Sequence, residues 1–185
     1  MKSITRFTQS GANSMHGAVV PIAYGSFSTN SAVFTSIPQG YQDLMLVVNA
    51  RGTAATTQEF AGLRFNSDTG SNYSDTVLYG NGSSASSGSY TSVSYMNMVQ
   101  YPSGNDTAGV YGSQIFHILN YANSSTYKTV LARAASDTNG SGLTILSAGL
   151  WRNTNAITTL SWVSASATPT NISTFALYGI RTVGQ

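Results

Sequence analysis

The stretch Asp43-Leu44-Met45-Leu46-Val47-Val48-Asn49 decides the fold class. Its side chains alternate, Leu44, Leu46 and Val48 on one side and Met45, Val47 and Asn49 on the other, which is the two-residue period of a strand. Leu63-Arg64-Phe65-Asn66 and Val77-Leu78-Tyr79 continue in shorter form, and each run ends at an Asp, Asn or Gly turn. Outward from these, residues 19–27, 32–37, 92–100, 111–121, 127–135, 144–150, 157–164 and 173–180 carry the same Val, Ile, Phe, Tyr and Thr enrichment. Turn clusters such as Asn81-Gly82-Ser83 and Asn139-Gly140-Ser141 divide them. Roughly ten strands suffice for two packed sheets, so the expected fold is all-β, a jelly-roll-like two-sheet β-sandwich.

Composition agrees. Of 185 residues only 8% are charged, where about 25% is usual, so hydroxyls, amides and glycines supply the polar surface and disfavour long helices. The length fits one domain, expected over residues 19–185, preceded by an arm over residues 1–18 whose Gly11, Asn13 and Gly17 interrupt any regular element. Gly80-Asn81-Gly82-Ser83-Ser84-Ala85-Ser86-Ser87-Gly88-Ser89 is too poor in apolar area to be buried and is expected as an exposed, mobile loop. In residues 114–121 alternation places Ile115, His117, Leu119 and Tyr121 on one face and Phe116, Ile118 and Asn120 on the other, both apolar enough to be covered.

Several function classes lose their chemistry here. Eight basic residues are scattered against six acidic ones, too few and too dispersed to displace phosphate counterions, so no nucleic-acid partner is expected. Cysteine is absent, which removes thiolate metal sites and cysteine nucleophiles. The N-terminal residues lack a signal peptide's apolar run and no stretch reaches membrane-span length, so synthesis in the cytoplasm without a membrane partner is expected.

Only His16 and His117 could act as histidine bases, the first in the arm and the second in an apolar strand suited to a core or interface histidine. A glycosidase would need two convergent carboxylates from Asp43, Glu59, Asp68, Asp75, Asp106 and Asp137. Asp68 and Asp75 are the nearest pair, yet they flank a turn-rich segment in which surface roles are the simpler reading. No catalytic residue and no cofactor is therefore expected. The oxygen ligands of Asn66, Asp68, Asn72 and Asp75 could suit calcium, although their spacing is not that of an EF-hand and a network of Asx turns is the favoured account of them. Two tryptophans and eleven tyrosines offer flat rings for sugars, with Tyr73, Tyr79, Tyr90 and Trp151 as candidates, whereas Tyr95, Tyr101, Tyr111 and Tyr121 fit core or interface packing.

The segments Tyr41 to Arg51, Leu63 to Ser74, Leu78 to Ser83, Ala148 to Thr158 and Phe175 to Ile180 occur in an order that resembles a family of tailed-bacteriophage structural proteins, many from viruses of aquatic bacteria. Within these motifs Gly70 and Gly80 are expected at positive φ, and Asn66 and Asp68 are expected to bond their own backbone two residues on. The resemblance implies a virion location as a capsid decoration or cement protein, a head fibre, or a tail-fibre receptor-binding module, commonly jelly-roll-like and trimeric. The preferred expectation is a trimeric decoration protein bound to the major capsid protein, stabilising the assembled head. The alternative is an adhesin gripping host-surface polysaccharide, and third comes a depolymerase.

Overall fold

The computed structural model describes residues 5–6 and 18–181, and among these no residue is helical. His16 and most of the expected arm lie outside the described residues. The strands are β1 (Thr5–Arg6), β2 (Val19–Ser26), β3 (Ser31–Phe34), β4 (Asp43–Ala50), β5 (Gln58–Phe65), β6 (Tyr73–Gly80) and β7 (Ala85–Val93). They continue with β8 (Met96–Pro102), β9 (Gly112–Ile118), β10 (Lys128–Asp137), β11 (Gly142–Trp151), β12 (Leu160–Ser164) and β13 (Thr174–Ile180). Two antiparallel sheets form, ordered β1-β2-β13-β4-β9-β10-β11-β6-β7 and β3-β12-β5-β8. The two-sheet sandwich expected from the sequence is the architecture observed.

β4 occupies the middle of the larger sheet, between β13 and β9. Leu44, Leu46, Val48 and Ala50 point inward and are buried, while Met45 and Val47 are half-buried on the outer face. Between the sheets, aromatic rings gather in two nests. Phe27 packs on Trp162 at 4.8 Å and on Phe175 at 5.0 Å, and Tyr101 lies 5.6 Å from Trp162. Near the other end Trp151 stacks on Tyr73, with ring planes 14° apart, and meets Phe65 at 5.6 Å. The polar atoms of these rings are satisfied: Trp162 Nε1 donates to Gln114 Oε1 at 2.8 Å, and Tyr73 Oη accepts from Phe65 N at 3.0 Å.

Several expectations need correction. The Ser/Gly-rich segment is not a loop, because Ala85–Val93 pairs along β6 as β7, and only the turn at Asn81–Ser84 is irregular. An edge strand needs backbone partners and not apolar side chains, so β6 organises a segment that could never enter a core. Gly82 takes the positive φ of 85°, whereas Gly80 lies within β6; around Gly70 it is Asn66 and Ser67 that adopt φ of 49° and 55°. Residues 92–100 do not form one strand, since Ser94 and Tyr95 separate β7 from β8. The alternation at 114–121 stops at Ile118 because Asn120 turns at φ 51°, sending Leu119 outward while Tyr121 returns to the core, its hydroxyl donating to Pro38 O. Within the expected arm, Thr5–Arg6 pairs with Tyr24 and Ala23 of β2.

Two edges are treated differently. β8 closes one side of the smaller sheet, and polar side chains from the larger sheet cap its free edge: Asp75 Oδ2 accepts from Asn97 N at 2.9 Å, and Ser147 Oγ donates to Met98 O. β7 ends the larger sheet with exposed side chains and no charge or proline between Ala85 and Val93. Buried cations hold loops elsewhere. The Arg51 guanidinium donates to the carbonyls of Thr107, Val110 and Asp106 at 2.7, 3.0 and 2.8 Å, fixing the β8–β9 connection. Lys128 Nζ donates to Thr126 O and Thr154 O at 2.7 and 2.9 Å, and burial lowers its pKa.

Candidate functional site

The four oxygen-bearing residues considered for calcium do not converge. Asn66 lies across the end of the sandwich, its Oδ1 accepting from Thr158 N and Thr159 N at 2.9 and 3.0 Å and its Nδ2 donating to Ala156 O. It therefore pins the approach to β12 and does not bond its own backbone. Asp68 behaves as expected at Oδ1, which accepts from Gly70 N at 2.8 Å, but its Oδ2 also accepts from Trp151 Nε1 at 2.8 Å and from Asn72 Nδ2 at 2.9 Å. Burial raises the Asp68 pKa, and these hydrogen bonds outweigh it to hold the carboxyl below its usual range. Asp75 points between the sheets as the cap on β8, and burial pushes its pKa up. Among the described residues no group of three or more His, Asp or Glu side chains could hold a metal ion.

The aromatic candidates also divide. Tyr73 and Trp151 are 0% and 1% exposed, so neither can stack on a sugar. Tyr79 and Tyr90 come together with Phe60 in a groove of about 150 Å³. This groove forms where β8, packed against β6, is the last strand of the smaller sheet and β7 extends past it. Val77 and Tyr79 floor it, Ser87, Gly88 and Tyr90 of β7 form one wall, and Asn97, Gln100 and Phe60 form the other.

A second surface was only half legible in the sequence. The outer face of the larger sheet carries, in register across β13, β4, β9, β10 and β11, the row Tyr178, Met45, His117, Leu131 and Ala148. Beside it runs the row Ala176, Val47, Ile115, Arg133 and Leu146, continued on β6 by Leu78. Leu131, Leu146 and Leu78 are 50%, 49% and 54% exposed, so large aliphatic side chains face solvent on adjacent strands. Alternation had marked Met45, Val47 and Ile115 as a second face; only the register reveals that five strands align them into one sheet of apolar surface. His117 lies in this face, its Nε2 3.4 Å from Asp43 Oδ2, in a hollow lined by Met45, Ile115, Leu131 and Leu146 and by the charged Arg133. Those neighbours offer the imidazole apolar packing and one guanidinium, and no hydroxyl to activate.

No protein-family model matches the chain, and no curated protein matches it either.

Proposed function

We propose that the chain is a structural protein of a tailed-bacteriophage virion, a capsid decoration or cement protein that acts as a trimer on the assembled head. The observation that carries the assembly role is the apolar outer face of the larger sheet. Five strands at about 4.8 Å spacing and seven residues at about 3.3 Å rise span a projected area of roughly 500 Å², which with side-chain relief approaches the ~800 Å² per partner of a stable interface. Such a face on a chain with so few charges favours close subunit contact. The viral assignment rests on the resemblance of the segments from Tyr41 to Ile180. A protein that binds coat subunits only in the shell shifts their equilibrium toward assembly by mass action, opposing the pressure of packaged DNA.

Virion imaging with labelled protein tests the location: label spread over the head supports the reading, and label confined to the tail overturns it. Light scattering tests the oligomer, with a trimer expected at micromolar concentration. Leu131→Asp combined with Leu146→Asp is expected to yield monomers of unchanged circular dichroism, because both side chains are exposed in the single chain. A trimer that survived both substitutions would place the contact elsewhere.

A further inference from the structure

We infer that the groove beneath the β7 overhang binds an uncharged saccharide. The inference is independent of the assembly role, since the groove lies on the opposite side of the larger sheet from its apolar outer face.

Three features of the groove define the ligand's chemistry. Its rings are presented and not buried: Phe60 and Tyr90 are 38% and 40% exposed, and Tyr79 is half-buried beneath them. Ring faces in this state match the C–H faces of a pyranose, which gives up little water on stacking. Between the rings stand neutral hydrogen-bonding groups, the amides of Asn97 and Gln100, and no charged side chain lines the groove. A sugar hydroxyl donates and accepts, so it pairs with amides and hydroxyls without the desolvation cost that a charged ligand would incur here. Asn97 Oδ1 has no hydrogen-bond donor in the protein, while its backbone N–H is fixed on Asp75. This acceptor is buried at the groove's lining and unpartnered in the protein, so a sugar hydroxyl reaches it only if the Asn97 side chain turns outward.

The same geometry argues against an extended peptide. Peptide strands bind by adding to a free sheet edge, and the edge of β8 that borders this groove is already capped by Asp75 and Ser147. A void of about 150 Å³ is smaller than the ~300 Å³ lower bound for sites that enclose drug-sized molecules, which fits one or two sugar rings of a longer chain.

The test uses the full chain, isotopically labelled, titrated with neutral oligomers of glucose, galactose and N-acetylglucosamine at millimolar concentration. At least one oligomer is expected to shift the amide resonances of residues 60, 77–79, 87–90 and 97–100. Tyr90→Ala and Phe60→Ala are each expected to weaken that binding by about tenfold with the circular dichroism unchanged, the covered part of each ring lowering the melting temperature by a few degrees. Absence of shifts with all three series, shifts that map outside the groove, or binding unaffected by both substitutions would overturn the inference. A protein that decorates heads and binds none of these sugars would sink this inference alone, whereas sugar binding by a protein found on tails would sink only the assembly reading.

Discussion

Asp68 and Asp75 stand seven positions apart in the sequence and were the nearest carboxylate pair, yet their surroundings drive them in opposite directions. Asp68 is held ionised by Trp151, Asn72 and Gly70. Its lowered pKa means that it contributes stability in full above the ordinary carboxylate value, and the contribution is lost as pH falls through the lowered one. Asp68→Ala strands the Trp151 N–H and is expected to cost about 1–3 kcal/mol at neutral pH, with a shallower acid limb in a plot of melting temperature against pH. Asp75 is buried with Oδ1 unpartnered and its pKa raised, so the folded state takes up a proton that the unfolded chain does not. Its penalty grows as pH rises from the ordinary carboxylate value through the raised one. Asp75→Asn keeps the cap on Asn97 N and removes that slope, and thermal melts across the acid range distinguish the two variants directly. None of this was legible in the spacing. Sequence distance placed both residues at one turn, whereas β6 starts at Tyr73 and carries Asp75 into the interior.

At the level of elements, alternation was readable wherever one face is covered, as in β4, and unreadable where a strand has no buried face. β7 is the second kind, a strand stabilised by its ladder to β6 and invisible to any hydrophobic pattern. The Asn139-Gly140 turn was legible because its backbone, at φ 65° and 89°, is one that Asn and Gly adopt at least cost. Gly62 was not, since its role appears only when β8 arrives. A Cβ there would lie 1.4 Å from Met96 O, inside a register shift between β5 and β8. Gly62→Ala is therefore expected to unfold the smaller sheet or abolish soluble expression, while Gly88→Ala, with open space around its Cα, is expected to be neutral in the same melt. The Arg51 anchor gives a separable prediction. Arg51→Met removes the donors to four carbonyls of the β8–β9 connection, those of Gly104, Asp106, Thr107 and Val110, and is expected to expose residues 104–110 to limited proteolysis, with cleavage mapped by mass spectrometry.

For the whole molecule, the sandwich followed from composition and turn spacing, but the unequal widths of its sheets did not. Nine strands over four leave both an overhang with its groove and an outer face longer than any partner within the chain. These two surfaces are products of long-range register, which is why single segments such as Tyr73 or Trp151 were poor guides to them. The pairing of β13 between β2 and β4 has a further consequence, for synthesis. This interior strand of the larger sheet follows the others in the chain, and β12 likewise completes the smaller sheet by joining β3 to β5. Until Ile180 leaves the ribosome, β2 and β4 have no neighbour between them and their apolar faces stay open. Local hairpins β9–β10–β11 and β6–β7 can form early at small loop-closure cost, but cooperative closure waits for β13. Until then the nascent chain is a sparsely charged, strand-rich and incomplete sheet, the state most in need of chaperone protection.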